Sequence, residues 1–484
     1  MRTTSINFLL ALAWVLSLPA IVCGQTEQPT GSAIQSTVES DGTGIAPKPR
    51  KPNIVYILAD DLGYGDLGCY GQREIQTPSL DSLALRGLRF TRHYSGSTVC
   101  APSRCCLLTG RHTGHVPIRG NTPALLGPGD VTVGKLLKQA GYATAIIGKW
   151  GVGDPPPPGD PARNGFETFF GYLDMRHAHN HYPDFLWHNG AKTAVSGNVV
   201  KAVRRGGVAI KRSQYSHDLF TDQALSYIEA QNDRPFFLYL AFTIPHANNE
   251  AGSDGMEVPD AGIYRDRDWP EPQINHAAMI TRLDESVGKV VALLEKLELD
   301  RETLILFSSD NGPHKEGGAD PAFFNSSGGL RGYKRDLYEG GIRVPLIAYW
   351  PGTIEPKRVS DHPSTFWDFL PTAADVAGIE HPAEIDGISF LPTLLGNDEG
   401  QQSHAYMYWE FQERGPQQAV RMGKWKFHRH GNQPLELYDL ETDPFEERNV
   451  AAQNPAVIKS IEFYLLTART PHPQFIFPAE SDDD

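Results

Sequence analysis

The sequence predicts an α/β fold, a mostly parallel sheet flanked by helices, followed by a smaller α+β subdomain with an antiparallel sheet and a packed helix. Three observations carry this. Short apolar runs such as Asn53-Ile-Val-Tyr-Ile-Leu58 alternate with stretches of helical period. Two of those runs open directly into carboxylate-bearing turns, and parallel sheets bind ligands at the carboxyl ends of their strands. After about residue 395 the pattern changes to short strands separated by turns.

The first strand is the run from Asn53 to Leu58. Pro78 opens a helix with Leu80, Leu83 and Leu88 on one face and Gly87 near its end. A second helix spans Thr132–Gln139, carries Leu136 and Leu137, and after Gly141 feeds a strand over Ala143–Ile147. Pro235–Phe242 is again apolar and β-rich. The clearest helix follows, with Ile280, Leu283, Val287, Val290, Leu294 and Leu297 at steps of three and four. It delivers the chain to the strand Thr303–Ser308, and Val344–Tyr349 adds one more. Strands alternating with helices imply a sheet covered on both faces. Beyond residue 395, Tyr406–Phe411, Lys424–His428 and Leu435–Leu440 read as short strands, and Pro455–Thr467 as the closing helix.

With 484 residues the chain has room for two or three domains and a sizeable core. Its 40% hydrophobic and 21% charged residues exclude a disordered, collagen-like or polytopic membrane chain. With 44 basic against 58 acidic residues the formal charge is −14, which argues against nucleic-acid binding driven by bulk charge. No internal repeat supports a solenoid or propeller.

Residues 1–24 read as a signal peptide: Arg2 precedes an apolar run from Phe8 to Leu18, followed by Pro19, Ala20 and Val22-Cys23-Gly24. The run is too short to span a bilayer, so no membrane span is expected, and a lipid anchor on Cys23 is the alternative to cleavage after Gly24. Loss of this segment removes only Arg2 as a charge, leaving 43 basic against 58 acidic residues, or −15. The reading places the protein outside the cytoplasm, periplasmic or secreted. Residues 25–50, rich in Gln, Thr, Ser, Gly and Pro, read as a flexible leader, residues 51–395 as the catalytic domain and 396–484 as the C-terminal subdomain. With Cys23 lost to the signal peptide, Cys69, Cys100, Cys105 and Cys106 remain, a count from which no disulfide framework follows.

The chemistry begins where strands end. Leu58 opens into Ala59-Asp60-Asp61, and Phe307 into Ser308-Ser309-Asp310-Asn311-Gly312. Three carboxylates and an amide oxygen that converge would suit a hard cation, Ca²⁺ or Mg²⁺, better than zinc. The alternative is a pair of polar turns. A third element is Cys100-Ala101-Pro102-Ser103-Arg104, where Pro102 suits a first helical turn. Cys100 would then sit at a helix N-terminus, expected to be a low-pKa thiol unless it is a buried structural cysteine.

Cys100 to Arg104, followed by Leu107-Leu108-Thr109-Gly110-Arg111, resembles the C-x-P-S-R signature of type I sulfatases, in which the cysteine is converted to formylglycine. The resemblance extends in family order through Pro52-Asn53-Ile54-Val55, Ala59-Asp60-Asp61, Gly148-Lys149-Trp150, Ile244-Pro245-His246, Ser309-Asp310-Asn311-Gly312 and Tyr338-Glu339-Gly340-Gly341-Ile342-Arg343-Val344-Pro345 to Glu436-Leu437-Tyr438-Asp439-Leu440 with Asp443-Pro444. It implies an alkaline-phosphatase-like fold. It also implies one Ca²⁺ held by Asp60, Asp61, Asp310 and Asn311, with the formylglycine at position 100 beside it. A maturation enzyme that generates formylglycine is an implied partner.

In the mechanism the resemblance implies, a hydroxyl of the hydrated formylglycine attacks sulfur while the cation, Arg104 and Lys149 neutralise charge. A sugar alkoxide leaves poorly, so His246 or Lys334 would supply a proton. Lys334 lies just before Tyr338-Glu339-Gly340-Gly341, where the family carries its second active-site lysine. One departure stands out: many sulfatases carry His directly after Lys-Trp, and this chain has Gly151. The loop His177-Ala-His179-Asn-His181-Tyr182 is a candidate to supply the missing base and read the sugar, with His177 the best single candidate; a solvated loop is the alternative.

That loop, with His314, resembles sulfatases acting on sulfated sugars of the galactose type, so His177, His179 and His314 are candidate substrate-binding residues and a sulfated saccharide the expected substrate. Two rivals remain open: a phosphonate monoester or phosphodiester hydrolase with the same cysteine motif, and a sulfated-glycan-binding protein left silent by an unmodified Cys100.

Overall fold

The computed structural model describes residues 50–121, 125–127, 129–153, 159–204, 206–231 and 233–476. The segments read as signal peptide and leader, up to residue 49, and the last eight residues of the chain lie outside them. In chain order come β1 (Asn53–Asp60), α1 (Pro78–Arg86), β2 (Leu88–Tyr94), α2 (Cys100–Thr109), α3 (Val133–Gln139), β3 (Ala143–Lys149), β4 (Thr168–Tyr172), β5 (Phe185–His188), β6 (Ala191–Ala194), β7 (Val199–Val203), β8 (Gly206–Lys211) and α4 (Ser216–Glu229). There follow β9 (Phe236–Pro245), α5 (Glu271–Lys296), β10 (Thr303–Ser309), α6 (Glu339–Ile342), β11 (Arg343–Tyr349), β12 (Arg358–Ser360), β13 (Ser364–Thr365), α7 (Phe369–Val376) and α8 (Leu391–Leu394). The last segment holds β14 (Met407–Phe411), β15 (Gln417–Met422), β16 (Trp425–His430), β17 (Glu436–Asp439) and α9 (Pro455–Leu465).

The main sheet runs β12-β2-β11-β10-β1-β9-β3-β4-β5-β6, with β13 also on β2. Its centre, β10-β1-β9-β3-β4, is parallel throughout. Every residue of β1 is buried, which explains an apolar run without alternation. Its side chains still divide by twos. Ile54, Tyr56 and Leu58 enter one core with Phe366, Phe369 and Trp409, while Val55, Ile57 and Ala59 enter a second with Phe220 of α4 and Leu283 and Val287 of α5. Both faces are therefore covered, and the sheet must present its chemistry at its strand ends.

Three expectations need correction. Leu88 does not close the face of α1: Gly87 ends that helix, and Leu88 starts β2, where Leu88 and Phe90 are buried and Arg89 and Thr91 are not. The strand over Val344–Tyr349 runs antiparallel to β10, because the segment 310–338 that leads to α6 contains no crossover helix to carry the chain back to the start of the sheet. The third concerns the C-terminal sheet, order β14-β15-β16-β17, whose second strand, Gln417–Met422, was not read from the sequence. Two glutamines and an arginine in Gln-Gln-Ala-Val-Arg-Met hide its β character, yet all but Met422 are buried.

That sheet is antiparallel, and α9 packs on it through Ile461 against Tyr408, Val420, Phe427 and Leu437. The Trp409 indole N–H donates to Ser95 O at 2.9 Å and Lys426 Nζ reaches Glu339 at 2.9 Å, tying the small sheet to the segments around α2 and α6. The architecture is thus the alkaline-phosphatase-like one with a C-terminal antiparallel subdomain.

Candidate active site

Side chains alternate along a strand, so Asp60 and Asp61 would point to opposite faces if β1 simply continued. Instead Asp61 takes φ +67°, the left-handed region, and the turn brings both carboxylates to one place. The parallel register, Ala59 opposite Ser309, sets Asp310 and Asn311 beside them. The Asp61 N–H donates to Asp310 Oδ1 at 3.1 Å and Asn311 Nδ2 to Asp61 Oδ1 at 2.7 Å. All four side chains are buried.

Cys100 is the first residue of α2, and Asn121 Oδ1 accepts from the Ala101 N–H at 3.2 Å, satisfying one free donor of that helix end. Four residues on, on the same helix face, Arg104 is wholly buried. Its Nε and Nη2 donate to Asp310 Oδ2 at 3.0 and 2.8 Å, and Nη1 donates to Lys149 O at 3.0 Å. Lys149, at the end of β3, places Nζ 2.7 Å from Asp60 Oδ2. Glycines bracket this lysine for steric reasons. A Cβ on Gly148 would stand 1.9 Å from Ala241 O, and one on Gly151, at φ +76°, would stand 2.9 Å from Arg104 Cδ.

From β9 comes His246. Its Nδ1 lies 2.6 Å from Ala247 O, and because a carbonyl only accepts, that nitrogen carries the proton. Nε2 is then the acceptor, and Lys334 Nζ lies 3.0 Å from it. The same ammonium reaches Asp61 Oδ2 at 2.8 Å and Glu316 Oε2 at 3.1 Å. His179 stacks on His246 with ring centroids 4.8 Å apart and holds Glu250 through Nδ1 at 2.9 Å.

Electrostatics sets the charge states. Burial, then the neighbouring Lys334, pushes His246 well below its usual value, so it stands neutral. Burial opposes the charge of Lys334, but Asp61 and Glu316 outweigh it and hold the ammonium protonated. For Asp60, burial is outweighed by Lys149 and Arg104, which keep it ionised. Burial and the charge of Asp60 raise Asp310 to about 7. A cation would relieve that cost. Two further atoms point the same way: Asp60 Oδ1 and Asn311 Oδ1 are buried acceptors without a hydrogen-bond partner. Asp60, Asp61 and His246 also bring ligand atoms within 4.8 Å of one another. Hard oxygen donors with unfilled lone pairs fit Ca²⁺. The expectation of a low-pKa thiol is corrected: burial raises the Cys100 thiol above its ordinary value, and Lys149 only partly offsets this.

The sulfatase family model matches residues 52–379, and the model described as N-sulphoglucosamine sulphohydrolase, C-terminal, matches residues 331–468. This chain belongs to the sulfatase family. Human arylsulfatase A is 33% identical over 473 residues, covering 85% of this chain and 87% of its own. The N-acetylgalactosamine-6-O-sulfatase of Bacteroides thetaiotaomicron is 29% identical, covering 87% and 94%. The crystal structure of Ps i-CgsB in complex with k-i-k-neocarrahexaose superposes with a TM-score of 0.74 at 26% identity, covering 89% of this chain and 96% of that one. Membership makes the chain a hydrolase of sulfate esters, and the family implies a formylglycine nucleophile beside a bound cation.

In this sulfatase the structure gathers Cys100, Arg104, Lys149, His246, Lys334, Asp60, Asp61, Asp310 and Asn311 into one buried cluster, with His179 on its edge. It does not bring His177 there. That ring stacks on Phe185 at 4.4 Å and meets the edge of Tyr172 at 4.9 Å. His314 is beside the cluster but gives both nitrogens to the main chain, accepting from the Glu316 N–H and donating to Pro245 O. Sequence reasoning missed Glu316, Asn121 and Arg335, which pairs with Glu316. It also missed the use of His181, whose Nε2 donates to His246 O at 2.8 Å. No motif marks these residues; the spacing of Glu316 two residues after His314 was the one available signal.

A second group, His112, His115 and Asp386, has the look of a metal site. His112 Nδ1 accepts from the Gly114 N–H, which leaves the proton on Nε2, 3.6 Å from Asp386 Oδ1. His115 Nδ1 binds the same carboxylate at 2.9 Å and the His112 backbone N–H donates to it at 3.0 Å, so the carboxylate is already held by hydrogen bonds.

A side chain at Gly151 would press on Arg104. Gly151→Ala should lower stability by about 1 kcal/mol or more from the left-handed φ alone and reduce kcat by moving Arg104. Denaturant unfolding together with steady-state kinetics checks both effects.

Proposed function

We propose that this sulfatase is exported and removes sulfate from sulfated saccharides, with position 100 as its nucleophile. The observation that carries the reading is Cys100 at the start of α2, facing a buried cluster whose two unpartnered oxygens belong to residues from two parallel strand ends. When present, a Ca²⁺ held by Asp60, Asp61, Asp310, Asn311 and the residue at position 100 would supply positive charge for the sulfuryl oxygens, and formylglycine a hydrated aldehyde as the attacking hydroxyl. Lys149, first among the cations that lower the ionisation cost at position 100, stabilises the negative charge there. Arg104 holds Asp310 and the Lys149 carbonyl in register.

A proton must reach the departing sugar oxygen. Neutral His246 presents a lone pair at Nε2, so the ammonium of Lys334 is the proton carrier and His246 its acceptor partner. Lys334→Ala should therefore slow hydrolysis of a sugar sulfate about 10²–10⁴-fold and slow an aryl sulfate with a good leaving group far less. Equal losses on both substrates would reject proton donation.

The sugar class is supported by relatives named for N-acetylgalactosamine sulfate and by the neocarrahexaose complex. Export is supported by the residue 1–24 pattern, and no described helix is long and apolar enough to cross a membrane. Residues 51–395 form the proposed catalytic domain and 396–484 the subdomain, a boundary falling between α8 and β14. The test is a panel of regiodefined sulfated saccharides scored by released sulfate, with an aryl phosphodiester in parallel. Turnover of the phosphodiester alone would favour the phosphonate or phosphodiester reading.

Among the loop histidines, His179 is the proposed contact with substrate and His177 a packing residue. His179→Ala should change kcat or KM on the preferred sugar. His177→Ala should leave both near wild type while lowering the melting temperature, because its half-buried ring packs against two aromatic neighbours. Wild-type kinetics for His179→Ala would remove it from the site.

A further inference from the structure

Where β2 meets the C-terminal sheet there is a cleft of about 270 Å³ that shares no lining residue with the active-site cluster. Its charge is one-sided. Arg92, Arg343, Arg421 and Lys424 line it against a single carboxylate, Glu441, in a chain whose net charge is −14.

Three of these cations already have counter-ions. Arg92 lies 3.7 Å from Asp361, Arg343 3.5 Å from Glu339, and Lys424 2.5 Å from Asp439. Arg421 on β15 differs: it is 5% exposed, its side chain makes no hydrogen bond or ion pair to any described residue, and its Nε is buried without a partner. Its guanidinium carbon lies over the face of Tyr94, 5.4 Å from the ring centroid. Glu339 feels the charge of Arg421 but makes no ion pair with it, its oxygens being engaged by Lys426 at 2.9 Å, the Tyr94 hydroxyl at 2.8 Å and Arg343.

Removing a guanidinium from water without a partner costs several kcal/mol. An anion in the cleft that Arg421 lines would offset that cost. Guanidinium forks pair best with planar or tetrahedral oxyanions, and three arginines with a lysine around one cleft match the several oxygens of a sulfate better than a single water.

We propose that this cleft is an oxyanion site that takes a sulfate group, either free sulfate or a sulfate ester on a sugar. The site is independent of the chemistry at position 100. A free anion would make it a sensor of the reaction product; an ester would make it a holding point for a second sulfate of a longer glycan.

The test uses crystals of the mature chain soaked with selenate, a sulfate analogue with its own anomalous signal, and separately with a sulfated disaccharide. Selenate density within hydrogen-bond distance of Arg421 is expected, absent from Arg421→Met. Because Arg421 is buried, Arg92→Gln provides a second variant at a partly exposed residue and should weaken selenate binding at the cleft several-fold with the fold unchanged. Selenate alone in the cleft assigns it to the free anion, and the disaccharide sulfate there assigns it to the glycan. A cleft empty in both soaks, or an occupancy that neither substitution alters, overturns the proposal.

Discussion

Cys100→Ala should abolish sulfate-ester hydrolysis, with a loss on the order of 10⁴-fold or more in kcat, as removal of a covalent nucleophile does. The rest of the site survives the change. Arg104 keeps its two bonds to Asp310, Lys149 keeps Asp60, and Asn121 still accepts from the Ala101 N–H. The variant should thus bind a sulfated ligand without turning it over. The native thiol is no substitute for the proposed formylglycine, since burial raises its pKa and leaves it protonated. Peptide mass spectrometry of active protein, made in a host that matures sulfatases, should show position 100 without its sulfur. An active preparation carrying only the thiol would sink the idea.

The second large effect concerns the cation. Chelation should abolish activity in the wild type and lower its melting temperature, since a ligand present at a hundredfold over its Kd contributes about 2.7 kcal/mol to stability. Asp60→Asn is the sharper variant. It preserves shape while removing the charge of a carboxylate whose Oδ1 is unpartnered, and it should strip the metal and lower kcat about a thousandfold or more. Its melting temperature should no longer respond to chelator. Asp310→Ala is a poorer probe because it leaves the buried guanidinium of Arg104 without its main partner, at a cost of about 3–5 kcal/mol. Full activity in Asp60→Asn protein shown to be metal-free would eliminate the assignment.

The legibility of the fold follows from the range of the forces involved. Runs buried on both faces, such as β1 and β10, announce themselves because every residue must be apolar up to the point where the strand leaves the core. The long helix α5 is equally plain, as its buried Ile280, Leu283, Val287, Val290 and Leu294 keep a 3.6-residue period against one core. The segment from β4 to β8 left little trace, because β6 and most of β7 are exposed and carry no buried face.

The sequence by itself determined the family and the core of the site, since the cysteine motif is contiguous and the carboxylates stand directly after apolar strands whose pairing then brings them together. Only the tertiary structure decided which histidines belong. His177 and His179 are two residues apart, yet one ring packs on Phe185 and the other on His246. Nor could the sequence state that Glu316 binds Lys334, that Asn121 caps the helix of Cys100, or that Arg421 stands with its Nε buried and unpartnered. Period and turn chemistry are properties of neighbours along the chain; ion pairing and thiol acidity depend on what burial brings alongside from distant segments.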